Sequence, residues 1–181
     1  MRAGPAGATR VVEPYDCPGA GENLPRIWDP HSSDYALAMS QYSIHIAESA
    51  DDVARCFPIM VQLRPHLDQH TFVDRVRRQQ VEGFKLALLD EQSVVRAVAG
   101  FRIFEKLTVG RQMYVDDLVT DERHRSRGCG RALMDWLKVH ARSAGCTELQ
   151  LDSGVNRYQT HAFYFRERMH ISSYHFMVKL T

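Results

Sequence analysis

The residues whose types and spacing most strongly suggest chemistry lie between positions 118 and 133, where an apolar run is followed by Arg125-x-x-Gly128-x-Gly130. Glycines at this spacing allow the backbone to turn tightly, so that successive N–H groups point into one concavity. An amphipathic helix pattern begins directly after the turn, which adds the unpaired N–H groups and the positive dipole end of a helix. The segment is therefore suited to bind an anion, above all a pyrophosphate.

Two better-known phosphate-binding patterns do not match this turn. A Walker loop requires Gly-Lys-Ser/Thr at its second glycine, whereas Gly130 is followed by Arg131 and Ala132. The dinucleotide-binding pattern G-x-G-x-x-G requires a third glycine where Leu133 stands. The remaining alternative to an anion site is a plain tight connection between a strand and a helix.

The elements that must position the turn follow from hydrophobic periodicity. Apolar and alternating runs predict strands at residues 42–47, 84–89, 94–105, 113–120, 147–151 and 171–180. Helical spacing predicts a helix that begins after Ser49, a second one capped by Thr71, and helices over 131–144 and 158–168. Pro58 is expected to kink the first helix. The resulting order is β-α-α-β-β-β-α-β-α-β.

The first 38 residues differ from the rest in composition. They hold five of the seven prolines and show no sustained periodicity, so they cannot bury enough apolar surface to offset their ordering entropy. We interpret residues 1–38 as a flexible Pro/Gly-rich extension and residues 39–181 as one domain. Met39 is a candidate for the natural start, which N-terminal mass spectrometry of the native protein would test.

Composition excludes several function classes. A chain of 181 residues with 44% hydrophobic and 25% charged residues is typical of one globular domain. Its net charge of +1 gives no general case for nucleic-acid or membrane binding, and no apolar run approaches the roughly 20 residues of a spanning helix. The four cysteines form no C-x-x-C pair or zinc-spaced set, which favours reduced thiols in a cytoplasmic protein, and no metal is predicted.

The chain resembles the GNAT superfamily of N-acetyltransferases, which use acetyl-CoA. The resemblance lies in a strand, the Arg-x-x-Gly-x-Gly turn, a helix, a further strand and the pair Phe163-Tyr164 that opens a short helix. The resemblance covers roughly residues 41–181 and is most specific at 118–133. It implies an α/β (α+β) fold with a mixed, mostly antiparallel central sheet, flanking helices and a splayed, V-shaped cofactor cleft. Homodimers are common among similar proteins, which leaves a homodimer open.

The resemblance also implies how acetyl-CoA would be held. Its pyrophosphate would lie in the turn, and its pantetheine arm would add like an extra strand beside the preceding one. One backbone N–H near Leu118 or Val119 would hydrogen-bond to the thioester carbonyl. Arginine side chains would add positive potential, although a solvated side chain is an equal alternative for Arg127. The cofactor-binding residues implied are Leu118, Val119, Thr120, Arg125, Ser126, Arg127, Gly128, Cys129, Gly130 and Arg131.

The reaction implied is direct attack by a substrate amine, which is protonated at neutral pH and must first lose a proton. Asp116 and Asp117, expected on opposite faces of the strand, are candidate bases; alternatively, one is exposed and the other pairs with an arginine. Asp152 is a third candidate, or caps the loop that follows it. Tyr164 matches the family's tyrosine that hydrogen-bonds to the leaving thiolate, or is simply a buried aromatic beside Phe163.

The acceptor is the least predictable part. Family members often have Gly-Phe where Arg168-Met169-His170 stands, and Asn156 is displaced from the usual asparagine. The resemblance implies an acceptor site built from the first helix–loop–helix and the last hairpin. Arg64 and His66 in that first loop could meet a polar or anionic acceptor or could be loop residues fixed by a proline. The basic run that follows in the second helix favours solvated helix surface over a substrate or phosphate site. Its members are Arg75, Arg77 and Arg78.

Three functions are therefore carried forward. The first is an N-acetyltransferase that transfers acetyl from acetyl-CoA to a primary amine of a small molecule or peptide. The second is a non-catalytic acyl-CoA-binding or sensing module, and the third is an acyltransferase that uses a longer acyl-CoA. Thiol release with a panel of amines separates the first two, and a comparison of acyl-CoA donors separates the third.

Overall fold

The computed structural model of the protein describes residues 42–180, which form a five-stranded sheet with helices on both faces. The predicted extension at residues 1–38 and the candidate start at Met39 lie outside the described residues. Within residues 42–180, no helix combines the length and apolar character needed to cross a membrane. Cys56, Cys129 and Cys146 are free thiols.

The strands and helices lie close to the predicted positions. The five strands are β1 (Tyr42–Ile46), β2 (Phe84–Glu91), β3 (Val94–Lys106), β4 (Gly110–Thr120) and β5 (Glu148–Leu151). The four helices are α1 (Ala50–Leu63), α2 (Gln69–Val81), α3 (Cys129–Ser143) and α4 (Tyr158–Arg166). A short 3-10 turn at Glu122–His124 leads from β4 toward α3.

The sheet has the strand order β1-β2-β3-β4-β5. The pairs β1–β2, β2–β3 and β3–β4 are antiparallel, whereas β4 and β5 run parallel, so the prediction of a mixed, mostly antiparallel sheet is confirmed. Gln92 and Ser93 join β2 to β3 with φ angles of 50° and 65°, the left-handed conformation that a tight two-residue hairpin requires. This hairpin pairs β2 with β3, the central strand of the sheet.

Side-chain caps determine where α1 and α2 begin. Ser49 accepts a hydrogen bond from the Asp52 N–H and starts α1, as predicted. The predicted cap of α2 at Thr71 is wrong. Asp68 accepts the N–H groups of His70 and Thr71, so the helix begins at Gln69. α1 contains Pro58 and continues to Leu63 without interruption.

Two hydrophobic cores, one on each face of the sheet, hold the helices in place. Alternation along β2 directs Phe84, Leu86 and Leu88 toward the core that α1 and α2 cover. The intervening residues Ala87 and Leu89 face the core beneath α3. Both cores reach β4, which is therefore fixed from both sides.

The predicted strand over residues 171–180 is wrong. These residues have no strand assignment, and apolar members such as Ile171 and Phe176 are exposed. The side-chain pattern favours a strand, but a strand also requires backbone pairing with a neighbour. The segment is connected to the end of β5 by a side-chain contact instead, from His175 to Asp152.

Candidate functional site

The outer edge of β4 is open over its last five residues. Pairing between β4 and β5 ends at Val115, opposite Leu151, which is also the last residue of β5. From Asp117 to Thr120, β4 continues with β3 as its strand partner. Residues 116–120 therefore have no strand partner on their other side in the described part of the chain. An edge of this kind can accept an extended ligand through backbone hydrogen bonds.

The three residues at the end of this edge are fixed by their side chains. Leu118 packs against the core beneath α3, and Val119 is buried in the core beneath α1 and α2. Thr120 lies against the start of α3, because its Oγ1 is 3.1 Å from where a Cβ on Gly130 would stand. The open backbone edge is thus held rigidly next to the glycine-containing turn.

The turn itself has the conformation that its glycine pattern predicts. Gly128 has φ 93° and is the N-cap of α3, so an L-residue there would be strained. Ser126 also has a left-handed backbone, with φ 61°, a conformation that is unfavourable for an L-residue with a Cβ. Strained residues of this kind concentrate at functional sites.

The start of α3 lacks the side-chain cap that α1 and α2 have. Ser49 and Asp68 accept N–H groups at the starts of those two helices, but no side chain caps α3 at Gly128. The short helix α4 is also uncapped. The first-turn N–H groups of α3 are therefore available to an anion, and the helix dipole favours one.

Neighbouring elements hold this turn from both sides. The Tyr42 hydroxyl donates to the Arg127 carbonyl at 3.2 Å, and Gln62 of α1 accepts the Glu122 N–H at 2.9 Å. Asp121 accepts the Arg123 N–H and contacts His124 Nδ1 at 3.0 Å. Burial alone would raise the pKa of Asp121, but these hydrogen bonds outweigh it and lower the pKa. The carboxylate is thereby kept ionised as a support for the turn.

The arginines of the turn are placed in two different ways. Arg125 and Arg127 are exposed and add positive potential around the start of α3. Arg131 lies between two carboxylates, with Nε 3.7 Å from Asp135 and 3.9 Å from Glu167. Arg131 thus connects α3 to the end of α4, a role that the sequence did not indicate.

α4 carries the predicted Phe163-Tyr164 pair to the turn. The Phe163 ring is 3.8 Å from the position of a Gly130 Cβ, and the two aromatic rings are 5.5 Å apart. Burial raises the pKa of Tyr164, so its phenol keeps its proton at neutral pH. The buried Glu167 accepts a hydrogen bond from Lys138 of α3 at 2.8 Å and fixes α4 in place.

A β-bulge corrects the expected orientation of the two aspartates in β4. The register shifts between Gly100 and Phe101, which pair with Asp117 and Val115, so Asp116 has no partner residue. The extra residue cancels the usual alternation, and both carboxylates lie on the side of the Phe84 ring rather than on opposite faces. Asp117 Oδ2 is 3.2 Å from the position of a Gly100 Cβ, which would itself touch that ring.

Each aspartate pairs with its own arginine, so the alternative in which one of the two is exposed and unpaired does not apply. Arg64, at the end of α1, donates from Nε to Asp117 Oδ1 at 2.7 Å. Arg102 of β3 donates to Asp116 Oδ2 at 3.0 Å and to Gln79 of α2 at 2.7 Å. Burial raises the pKa of Asp116, against the opposing effect of the Arg102 guanidinium.

A cavity of about 350 Å³ opens between α1, α2 and the sheet, and Asp117 is part of its wall. Arg64 and His66, the loop residues predicted to lie near an acceptor, both line it. Arg75 lines it as well. The basic run of α2 is exposed, as expected for solvated helix surface, and Arg75 is the member that also borders the cavity. The apolar wall comes from both helices, the loop between them and β2, namely Met60, Leu67, Phe72, Val76, Phe84 and Leu86.

Asp152 does not cap the loop that follows it. Its carboxylate instead accepts a hydrogen bond from the Tyr114 hydroxyl and lies 2.8 Å from His175 Nδ1. Burial, followed by the hydrogen bond to Asp152, raises the pKa of Tyr114, so this phenol stays protonated. The contact joins β4 and β5 just where their backbone pairing ends, which makes Asp152 part of the support of the open edge.

Comparison with known proteins identifies the family. The model of the acetyltransferase (GNAT) family matches residues 47–170. The uncharacterized N-acetyltransferase YhdJ of Bacillus subtilis (strain 168) is 35% identical over 124 residues, which cover 67% of this chain and 87% of that protein.

The chain belongs to the GNAT family of acetyltransferases.

Solved GNAT-like structures share its fold. An acetyltransferase of Trypanosoma brucei superposes with a TM-score of 0.65 at 21% identity, covering 77% of this chain and 99% of that one. An aminoglycoside N-acetyltransferase, AAC(6')-Iy, solved in complex with CoA, gives a TM-score of 0.69 at 11% identity, with 76% and 93% of the two chains covered. At these identities the likeness supports the fold alone.

The sequence pattern found some parts of this GNAT site and missed others. In the structure, Thr120 of the open strand and Phe163 of the Phe163-Tyr164 pair both lie against Gly130 of the turn. Arg102, Gln79 and Glu167, which hold the site's carboxylates and helices, were not recognised. Arg75 was recognisable, since Phe72, Arg75, Val76 and Gln79 follow the i, i+3, i+4, i+7 spacing of one helix face.

Proposed function

We propose that this chain is an acetyl-CoA-dependent N-acetyltransferase that acetylates a primary amine of a small molecule or peptide. The observation that carries the proposal is the position of Asp117. It belongs to the β4 segment whose outer edge is open, and its carboxylate also lines the cavity beneath α1 and α2. Asp117 therefore belongs to a strand edge suited to the acetyl donor and also lines a cavity suited to the amine acceptor.

The residues around the turn fit the donor. The uncapped first turn of α3 offers N–H groups to the pyrophosphate, with Gly128 and Gly130 keeping Cβ atoms out of the way. The exposed Arg125 and Arg127 supplement that charge, and Ser126 and Cys129 contribute backbone only. Acetyl-CoA, when bound, supplies an activated acetyl thioester. One backbone N–H, near Leu118 or Val119, would hydrogen-bond to its carbonyl oxygen.

We assign proton transfer to two side chains, Asp117 on the acceptor side of the open edge and Tyr164 on the donor side. Asp117 receives the proton of the acceptor ammonium, directly or through a water, because its carboxylate faces the cavity while Arg64 orients it. Asp116 has a positioning role, since it pairs with Arg102 and does not line the cavity. Tyr164 retains its proton and donates a hydrogen bond to the departing thiolate.

Two measurements test this proposal. Calorimetry should detect acetyl-CoA binding, and free thiol should appear when acetyl-CoA is mixed with protein and a panel of primary amines. Binding without amine-dependent thiol release would favour a non-catalytic acyl-CoA-binding module. Faster thiol release with propionyl- or succinyl-CoA than with acetyl-CoA would instead favour an acyltransferase for longer donors. Absence of acetyl-CoA binding would refute the assignment of the turn.

A further inference from the structure

The charges lining the cavity between α1, α2 and the sheet do not balance. Asp117 is the only carboxylate among the described residues that line it, whereas Arg64 and Arg75 are both guanidinium groups. Arg102 and Asp116 stand next to the cavity as a pair and cancel each other. One positive charge is therefore left over among the charged groups of a mostly apolar wall.

That excess charge resides on Arg75. Arg64 is committed to Asp117 through Nε and to the Asp116 carbonyl through a terminal nitrogen at 3.2 Å. Within residues 42–180, no carboxylate pairs with Arg75, although its neighbour Arg77 hydrogen-bonds to Gln80. An unpaired guanidinium at the rim of a cavity is well suited to a carboxylate or phosphate.

We propose that the acceptor carries an anionic group, a carboxylate or a phosphate, which binds Arg75 while its amine lies toward Asp117. The inference rests on the proposed function, because it assigns the cavity to the acceptor of that reaction. His66, also on the wall, can add a hydrogen bond to the same anion. The apolar residues between the two charged ends contact the body of the molecule.

The cavity volume limits the size of this acceptor. About 350 Å³ lies near the lower end of small-molecule sites. At about 30 Å³ for each water-sized group, it holds roughly a dozen non-hydrogen atoms. An apolar amino acid or a small amino-phosphate has this size, and each combines an amine with an anion.

Matched acceptors test the inference. Phenylalanine is compared with phenylalaninamide, and O-phosphoethanolamine with ethanolamine, so that each pair differs in the anion. We expect kcat/KM to be about 10- to 100-fold higher for the anionic member of at least one pair, mainly through KM. A preference in the first pair identifies a carboxylate, and one in the second a phosphate. Equal rates within both pairs, or faster reaction of the neutral members, would overturn the inference.

Two variants of α2 locate the effect. Arg75→Gln should abolish the preference, whereas Arg78→Gln, which removes the same charge from the same helix away from the cavity, should keep it. Equal loss in both variants would show a general charge effect and overturn the assignment to Arg75. Circular dichroism confirms that both variants fold.

A binding measurement separates this inference from the proposed function. Phenylalanine, phenylalaninamide and the phosphate pair are titrated into wild-type protein by NMR without any acyl-CoA. Tighter binding of an anionic member supports the inference even if no turnover is found. Detectable acetylation of neutral amines without any anion preference in binding would refute the inference and leave the proposed function intact.

Discussion

The turn at residues 125–130 and the cavity beneath α1 and α2 both border β4, through Thr120 and Asp117. The turn is built from backbone groups, whereas the cavity is built from side chains. The turn offers backbone N–H groups, and its side chains are free to vary except where a Cβ would intrude. The cavity is built from side chains of α1, the following loop, α2, β2 and β4. A substitution should therefore affect the turn through backbone conformation and the cavity through charge and shape.

The two regions also differ in which charged groups they hold and in how far those charges are paired. The start of α3 gathers positive potential without a side-chain partner for its first-turn N–H groups. At the cavity, each carboxylate of β4 is matched with an arginine, and Arg75 remains in excess. The first arrangement is suited to a polyanion, whereas the second combines groups of both signs, which suits a zwitterionic molecule.

The largest expected effect comes from breaking the turn. Gly128→Val would place a β-branched residue at φ 93°, so the turn must rearrange. Losing two charge-assisted N–H contacts to phosphate removes about 3–6 kcal/mol, or roughly 10²- to 10⁴-fold in affinity. Calorimetry with acetyl-CoA should therefore detect little or no binding.

Gly110→Val is the matched control for this variant. Gly110 also has positive φ, at 72°, and stands at the opposite end of β4 with no heavy atom within 4 Å of an added Cβ. It should lower stability through the same backbone strain while leaving acetyl-CoA affinity within about twofold. If Gly128→Val bound acetyl-CoA as well as Gly110→Val, the turn would not be the donor site.

The next largest effect should come from Asp117 on the acceptor side. Asp117→Asn keeps the shape of the side chain but cannot take up a proton, so kcat/KM should fall by about 10²- to 10⁴-fold. Acetyl-CoA affinity should change little, because the turn is untouched. Asp116→Asn is the control and should lose less activity, because Asp116 is held by Arg102. A larger loss in the Asp116 variant would exchange the roles of the two aspartates.

The contrast between backbone and side-chain sites also explains what could be predicted from the sequence. The turn was recognised because its requirements are local: two glycines, a strand before them and a helix after them. The cavity depends on the register of distant strands, which no local pattern specifies. Arg102 reaches Asp116, for example, only because β3 and β4 pair as they do.

The clearest error in the prediction from sequence concerned the orientation of the β4 aspartates, and its cause is the one extra residue of the bulge. Strict alternation along β4 puts Asp116 and Asp117 on opposite faces, but the bulge opposite Gly100 puts them on the same side. Arg75 was named as a candidate for a substrate or phosphate site, but solvated surface was favoured. Its spacing from Phe72 and Val76 was readable, but three arginines in four residues of α2 favoured the interpretation as solvated surface.

Tyr164 belongs to the donor side and should have an intermediate effect. Tyr164→Phe removes only the hydroxyl, and the loss of proton donation to the leaving thiolate should lower kcat by roughly 10²-fold. Because burial raises the pKa of Tyr164, its ionisation should not limit the activity of wild-type protein at neutral pH. Tyr158→Phe, on the same helix but exposed, should leave kcat unchanged. Equal kcat for the Tyr164 variant and wild type would remove the hydroxyl from the mechanism.

Gly100 tests how tightly the bulge is packed. In Gly100→Ala the new Cβ would lie 2.6 Å from the Phe84 ring and close to Asp117. Overpacking of this kind should lower the free energy of unfolding by about 1–3 kcal/mol and reduce activity through Asp117. The double variant Gly100→Ala/Phe84→Leu removes the contacting ring atoms, so urea unfolding should show a smaller loss than the sum of the single variants. Strict additivity would mean that the ring does not constrain this position.

The smallest effect concerns the pH dependence of stability at Asp116. Its pKa is raised in the folded protein, first by burial, so the folded state binds this proton more tightly than the unfolded state. The protonated carboxyl therefore stabilises the fold fully below the unfolded pKa near 3.8, and this stabilisation is lost as pH rises through the folded pKa. The unfolding free energy of wild type minus that of Asp116→Asn, from urea denaturation at several pH values above 4, should accordingly decrease and then level off. An increase with pH would mean that the ion pair with Arg102 outweighs burial and that the pKa of Asp116 is lowered in the folded protein.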